Sequence, residues 1–391
     1  MTDIPVLNAN TTTVHADIAQ PQLQNEFTKS SGVNLGPEIA ISSKNSANEP
    51  MCPEVHSEEN LAGQVTDASM AKTAIIKLNG GLGTTMGLDK AKSLLEVKDG
   101  LTFLDIIVRQ VLQLRSLAQS TNLPLIFMNS FNTSADTTSF LRENYPDLQT
   151  GNIPLEFVQH QEPKIDAETF EPVDFPANPK LEWCPPGHGD FYSAIYASGV
   201  LEQLLKSGVK YAFVSNADNL GATFDAKIAE HFANSGASIM LELAQKTEED
   251  IKGGHIVLHN EQMRLREVAQ IAKDDKKTAL DLNRHPYFNT NSLWLNLDHL
   301  YEKLSKTNGV LELPLIVNHK TVDPKDPETK KCIQLESAIG AAIGAFEKTE
   351  VICVPRTRFR PVKTTADLDL LRSNTFRLDG NYNIVENVQN A

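Results

Sequence analysis

Hydrophobic and polar positions divide the chain into two unequal parts. Residues 1–70 are rich in Asn, Thr, Ser, Glu and Gln, with scattered prolines and no sustained alternating or helical period. That pattern predicts a mostly disordered or loosely helical leader. From Lys72 onward, short apolar runs alternate with amphipathic ones. The runs at 73–78, 94–97, 125–128, 155–158 and 211–215 read as strands, because they are short, apolar and bounded by turn formers. Leu104, Ile107, Val108, Val111, Leu112 and Ala118 recur at helical spacing behind Thr102. With Asp105 three places on, Thr102 reads as the N-cap of a capping box. Residues 139–144 and 192–206 read as further helices, the second closed by Gly208. Beyond Asp225 come apolar runs at 238–244, 255–259, 265–269 and 292–297, and no internal repeat is visible. Alternating strands and helices predict an α/β fold of three layers around a mostly parallel sheet, with ligands at the carboxyl ends of its strands.

Composition narrows the class. The chain has 391 residues, 40% of them hydrophobic, enough for a sizeable core. No stretch approaches the ~18 uninterrupted apolar residues of a membrane span, and the start Met-Thr-Asp-Ile-Pro-Val has neither a basic nor an apolar signal region. Cys52, Cys184, Cys332 and Cys353 lie far apart, which suits reduced cytoplasmic thiols better than a disulfide or zinc framework. The net charge is −14, and residues 1–70 hold nine acids against Lys29 and Lys44. Such an acidic chain is expected to bind neither nucleic acid nor acidic membrane. If it binds phosphates, it must concentrate lysines locally and recruit a cation such as Mg²⁺.

Residues 73–92 carry the strongest chemical signal. The strand Thr-Ala-Ile-Ile-Lys-Leu runs into Asn79-Gly80-Gly81-Leu82-Gly83-Thr84-Thr85-Met86-Gly87, and Lys90 and Lys92 follow. Glycines let backbone N–H groups approach an anion, and lysines supply mobile positive charge, so a phosphate site is expected. It is not a Walker A loop, because Leu88 follows Gly87 where a lysine is required. Nor is it a dinucleotide fingerprint, because the glycine after Gly81 and Gly83 comes one place late, which disfavours a nicotinamide-dependent oxidoreductase.

The stretch Lys77–Lys92 resembles the signature Leu-Asn-Gly-Gly-Leu-Gly-Thr-Ser/Thr-Met-Gly, then Pro-Lys-Ser, of UTP–glucose-1-phosphate uridylyltransferases in the eukaryotic-type UDP-sugar pyrophosphorylase family. Asn79 and Met86 favour this branch over the related UDP-N-acetylhexosamine enzymes. Further segments continue the resemblance in order: Met128 to Thr133, Trp183 to Asp190, Phe213 to Ala222, Phe288 to Trp294, Ile333 to Ala338, and Val354 through Arg358 to Thr365. Together they cover roughly residues 72–375.

The resemblance implies a nucleotide-diphospho-sugar transferase (GT-A-like) fold, a catalytic domain over 71–375 and a short tail over 376–391. It implies the reaction of UTP with α-D-glucose 1-phosphate to UDP-glucose and pyrophosphate, with Mg²⁺. By the same resemblance Lys92 and Lys363 contact the phosphates as catalytic residues and Asp218 holds the metal. Leu78, Asn79, Gly80, Gly81, Gln159, Gly187, Asn216 and Asp218 then surround the nucleotide, with Gln159 reading the base and the Gly187 main chain near the uracil. His188 falls on the sugar phosphate, and Asn289, Asn291, Gly254 and Glu267 on the hexose. Glu336 fits either the hexose pocket or structural support.

Several of these roles agree with the residue chemistry. Nucleotidyl transfer needs no covalent nucleophile and no base, since a sugar phosphate is already ionised; it needs two anions positioned and their charge stabilised. A carboxylate ending an apolar strand packs poorly but ligates Mg²⁺ well; a helix cap or an Asx turn is the rival reading of Asp218, and the resemblance favours the ligand. An amide such as Gln159 offers a donor and an acceptor together, and two asparagines two apart on an extended segment face the same side.

Two departures stand out. Asp89-Lys90-Ala91-Lys92 replaces the family's Lys-Gly-Pro-Lys, which loses the stiff turn and suggests Lys90 as a substitute for the displaced lysine. The left-handed β-helix that follows in family members has no counterpart in this sequence, which leaves the oligomeric state open. Two alternatives remain: a broader-specificity UDP-sugar pyrophosphorylase, and a catalytically weak sugar-nucleotide-binding regulator.

Overall fold

The computed structural model describes residues 39–40 and 70–387, apart from 83–85, 87–89, 119–122, 251–252, 260–261 and 273–274. The expected leader therefore lies almost wholly outside the described residues, as do Gly83, Gly87 and Asp89 of the glycine-rich segment.

Seven strands form the central sheet: β1 (Thr73–Asn79), β2 (Leu125–Asn129), β3 (Glu156–Val158), β4 (Tyr211–Asn216), β5 (Ile239–Gln245), β6 (Tyr287–Asn296) and β7 (Thr349–Cys353). Their spatial order is β7-β5-β6-β4-β1-β2-β3. β1 is buried along its whole length and pairs in parallel with β2 and β4. The β2–β3 and β5–β7 pairs are parallel as well. β6 alone in this sheet is antiparallel to its neighbours β4 and β5.

Strands covered on both faces read as continuous apolar runs, which is why they stand out in the sequence. Ala74, Ile76 and Leu78 of β1 enter one core. There they join helices α3 (Phe191–Ala197), α4 (Val200–Lys206) and α6 (Leu297–Lys306). Ile75 points to the opposite core, under α1 (Phe103–Leu117), α2 (Ser134–Asn144), α5 (Ala226–Ser235) and α7 (Thr365–Arg372). The result is a three-layer α/β architecture with a mostly parallel sheet, in line with the sequence.

Local chemistry sets the ends. Thr102 caps α1 with the expected capping box, its hydroxyl accepting from Asp105 N and the Asp105 carboxylate accepting from Thr102 N. The predicted helix over 192–206 is instead two helices, broken at Gly199, whose φ is 75°. Helix α2 begins five residues ahead of the expected 139, because buried Thr137 bonds to Asn79 of β1 and so draws a polar stretch into the fold. The expected strand over 94–97 is a 3₁₀ turn at Lys92–Leu94 followed by a strand at Glu96–Lys98. Residues 265–269 likewise divide between the strand Gln262–Arg266 and a 3₁₀ turn at Val268–Gln270.

Smaller sheets flank the core. His255–His259 pairs with Gln262–Arg266, and Ile39–Ala40 pairs alongside the first of these strands. Leu315–Thr321, Lys331–Ser337 and Ile165–Asp166 form another sheet. Residues 376–386 hold a hairpin whose Phe376 and Ile384 are buried in the core beneath α7.

Candidate active site

The carboxyl ends of β1 and β4 open into a cleft of about 290 Å³, and the β1–loop junction forms one wall. Leu78, Asn79, Gly80 and Gly81 all line it. The Asn79 amide does not face a ligand: it donates to Asn129 Oδ1 (2.7 Å) and Thr137 Oγ1 (2.9 Å) and is buried. Asn79 thus fixes the turn, and its neighbours present backbone. A Cβ on Gly80 would lie 2.6 Å from Gln159 Oε1, so glycine here lets the Gln159 amide press against the loop. Ser130 Oγ donates to the Gly80 carbonyl (2.8 Å), fixing the loop from β2.

Charge converges on the far wall. Lys92 Nζ (2.8 Å) and Lys363 Nζ (3.0 Å) both donate to Asp218 Oδ2. Lys92 Nζ also donates to the Val362 carbonyl. The residues stand 126 and 145 positions apart in sequence and meet only through the fold. Their settings differ: the Lys92 side chain is 14% exposed and that of Lys363 58%. The Lys363 pair is therefore strongly screened by solvent, and this ammonium can change partner at little cost. Asp218 Oδ1, by contrast, is buried and accepts no hydrogen bond from the described residues. A buried bare carboxylate oxygen beside open space is a fit for a divalent cation. Among the described residues no three His, Cys, Asp or Glu side chains gather into a metal cage. One carboxylate completed by phosphate oxygens and water is the arrangement Mg²⁺ favours.

The chain segments carrying these groups are tied together. Val362 N donates to the Asp218 carbonyl (3.0 Å). Buried Asn219 donates from Nδ2 to the Arg358 carbonyl (3.1 Å) and accepts from Arg360 N at Oδ1 (2.8 Å). A Cβ on Gly221 would fall 2.4 Å from the Thr357 carbonyl oxygen, so the two segments touch where only glycine fits. Lys363 itself lies just ahead of α7, whose Thr364 cap and Asp367 hold the approach; Lys363 N donates to Asp367 Oδ2 (2.8 Å).

The third wall is the turn Pro185-Pro186-Gly187-His188, followed by α3. Gly187 has φ 79°, and a Cβ there would lie 2.7 Å from the Ser337 carbonyl oxygen. His188 Nδ1 accepts from Ile339 N (2.8 Å), so a neutral ring carries its proton on Nε2. Burial holds the His188 pKa down to about 4 despite the nearby Glu336 carboxylate. The ring is therefore a neutral donor at physiological pH. Gln159, Asn216 and Ala217 complete this part of the cleft.

Asn289, Asn291, Gly254 and Glu267 do not line this cleft but form an adjoining cluster. Asn289 Nδ2 donates to Asn291 Oδ1 (3.0 Å), and Asn289 N to the Gly254 carbonyl (2.8 Å). A Cβ on Gly254 would meet Glu267 Oε2 at 2.7 Å. Burial raises the Glu267 pKa. The two asparagines come together differently from the sequence expectation. The strand is bulged there, Glu242 facing Ser292 and Leu243 facing Asn289, and Asn291 takes a left-handed φ of 59°. Residues 339 and 340 connect cluster and cleft, Ile339 N binding His188 while Gly340 lies against the Asn289 amide. Glu336 abuts Gly187, and its carboxylate pairs with Lys320 (3.3 Å). Lys90 is exposed and does not line the cleft, so it does not take the displaced lysine's place there.

Sequence reasoning missed Asn219, Gly221, and the buried ionic residues Lys77, Glu242 and Arg358. A signal existed for Lys77, a cation within an otherwise apolar strand. Asn219, Gly221 and Arg358 lie within motif segments that give them no role, and Glu242 lies outside them.

Comparison with known proteins agrees with this geometry. The sequence profile of the family described as UTP–glucose-1-phosphate uridylyltransferase matches residues 36–391. The protein of that name from Saccharomyces cerevisiae is 40% identical over 333 residues, 84% of this chain and 65% of the relative. That from Encephalitozoon cuniculi is 41% identical over 307 residues, 78% of this chain and 59% of the relative. This chain thus spans less than two thirds of the length of these relatives. Among solved structures, a mutant UDP-glucose pyrophosphorylase from Leishmania major superposes with a TM-score of 0.82 at 40% identity, covering 93% of this chain and 76% of that one. Another mutant of that enzyme, solved in complex with UDP-glucose, gives 0.77 at 43% identity over 86% of this chain and 73% of that one. The central sheet is accordingly that of a nucleotide-sugar transferase, and the chain belongs to the UTP–glucose-1-phosphate uridylyltransferase family.

Proposed function

We propose that this chain transfers uridylyl from UTP to α-D-glucose 1-phosphate, giving UDP-glucose and pyrophosphate reversibly. The observation that carries this reading is the meeting of Lys92 and Lys363 on one oxygen of Asp218, inside a glycine-walled cleft. A phosphate oxygen of glucose 1-phosphate forms a bond to the α-phosphorus of UTP as the bond to the pyrophosphate oxygen breaks. The nucleophile is already anionic, so no proton has to move.

The residues bind, orient and neutralise. The Gln159 amide pairs with the uracil imide edge, beside the main chain of Gly187. Leu78, Gly80, Gly81 and Asn216 enclose the rest of the nucleotide, and His188 Nε2–H donates to the sugar phosphate. Lys92 and Lys363 exchange the carboxylate for phosphate oxygens as the nucleotide enters, which places two positive charges where negative charge spreads in the transition state. Asp218 Oδ1 would hold Mg²⁺, whose role is to neutralise phosphate charge. Gly254, Glu267, Asn289 and Asn291 bind the hexose hydroxyls. A cytoplasmic location suits these substrates. It is also supported by the free thiols of buried Cys184 and Cys332.

Pyrophosphate release tests the proposal, measured with UTP against ATP, CTP and GTP, and with glucose 1-phosphate against galactose and N-acetylglucosamine 1-phosphates. Selective release with UTP and glucose 1-phosphate is expected. Equal rates across the sugars would instead identify a broader pyrophosphorylase, and UDP-glucose binding without release would identify a regulator.

A further inference from the structure

Lys77 occupies a position on β1 that points into the mostly apolar core beneath α1 and α5. It is 3% exposed. Its ammonium donates to Ser215 Oγ (2.8 Å) and to the Ala222 carbonyl (2.7 Å). Ser215 immediately precedes, and Ala222 immediately follows, the turn 216–221 that carries Asp218. The ammonium therefore spans the base of that turn from one end to the other.

Charged groups surround this amino group. Glu242 of β5, fully buried, accepts a forked pair from Arg358, Nε to Oε2 (3.0 Å) and Nη2 to Oε1 (2.7 Å). Trp294 Nε1 donates to the same Oε1 (3.0 Å). Arg358 Nη2 also donates to the Thr223 carbonyl (2.9 Å), one residue beyond the Lys77 tie. Burial, and after it the Arg358 guanidinium, hold the Lys77 pKa down to about 7, with Glu242 the one charge that opposes them. The Glu242 carbonyl accepts from Thr290 Oγ1 (2.7 Å), within the bulge that carries Asn289 and Asn291. Three buried charges thus join the Asp218 turn, the segment running to Lys363, and the asparagine cluster.

We propose that Lys77 is a positioning residue: it staples the two ends of the 216–221 turn and thereby sets Asp218 against Lys363 and the reacting phosphates. This rests on the uridylyl-transfer reading above. Burying an ammonium is costly unless paired, and the pairing here is with the turn itself rather than with a ligand. The turn also leans on the 357–362 segment through Asn219 and Val362 N, so a slack turn would shift both charged walls of the cleft together.

Lys77→Met keeps the length and packing and removes the staple. A displaced catalytic carboxylate affects the transition state more than ground-state binding. The expected result is therefore a fall in kcat of about 30-fold, with KM for UTP and for glucose 1-phosphate within about twofold of wild type. Because Lys77 acts through Asp218, its effect on kcat should vanish in an Asp218→Asn background, whose residual turnover is followed with radiolabelled UTP. Unchanged kcat in folded Lys77→Met, or an equal fractional loss in both backgrounds, overturns the proposal. Should Lys77→Met not fold, Ser215→Ala releases one end of the staple. About a threefold loss of kcat at constant KM, absent beside Asp218→Asn, then supports the proposal, and no loss or an equal loss overturns it. A wild-type chain that releases no pyrophosphate removes the underlying reading itself; an active wild type with an equally active Lys77 variant removes only the staple.

Discussion

Two ammonium groups sharing one carboxylate oxygen at 2.8 and 3.0 Å leave the site with a net positive charge before any nucleotide arrives. Neither lysine belongs to the hydrophobic cores, and both spend their ammonium on Asp218, so removing either should cost catalysis and not folding. For Lys92→Ala and Lys363→Ala the expected loss in kcat is about 10²- to 10³-fold, the size found for removing one preorganised charge or donor from a transition state. The loss should be larger for Lys92, whose side chain is less exposed and less screened. Steady-state kinetics with circular dichroism as the folding control checks this; near-normal turnover of either variant contradicts it. At this scale the sequence was most informative where a motif names its residues. Lys92, Asp218 and Lys363 could be picked out because each sits in a recognisable string. Lys77, Glu242 and Arg358 could not be read as a unit, because nothing in a one-dimensional string reports that three charges at distant positions share a buried pocket.

Elements were read well where burial on both faces makes a strand uniformly apolar, and less well at their ends. The break between α3 and α4 is the clearest case. The apolar period continues across it, so periodicity alone cannot detect it, whereas the left-handed φ of Gly199 does the breaking. A Cβ at Gly199 would meet no atom within 4 Å, so Gly199→Ala tests the backbone conformation alone. A loss of about 1 kcal/mol is expected from the positive φ, measured by urea unfolding at constant slope. A stabilised variant would show that the two helices can merge without strain. Helix α2 teaches the complementary lesson: its first turn is polar, and the tie from Asn79 to Thr137, rather than propensity, brings it into the fold.

Over the whole molecule, acid should unfold the protein through histidines kept neutral by burial. The pKa is held down to about 4 in His188 and His285 and to about 2 in His255, in each case chiefly by desolvation. A histidine with a lowered folded pKa binds more protons when unfolded, so its contribution is intact above the ordinary value near 6.5 and is lost as pH falls towards 4. Glu162 opposes this. Burial raises its pKa to about 8, which favours the folded state increasingly as pH falls from 8 to 4.5. Glu267, raised by burial, and His160, raised by its hydrogen bond to Asp190, act in the same sense as Glu162, but the three strongly lowered histidines predict a net loss of stability between pH 6.5 and 4, read as a falling urea midpoint. A midpoint that holds or rises across that window contradicts the prediction.

The parallel sheet was legible as a whole, but the direction of β6 was not, because an apolar run reads the same from either end. Its reversal has a consequence for how such a chain can change. Where β4 delivers its last residues to the cleft, β6 delivers its first, so Asn289 and Asn291 reach the cluster adjoining that cleft before the strand has passed through the core. Extra residues inserted ahead of Tyr287 would remodel the rim proposed above to receive the sugar. Those inserted after Asn296 would enlarge only the opposite, chemically silent side. Substrate preference can therefore drift by loop growth at one end of a single strand, while the register that holds the sheet together stays untouched.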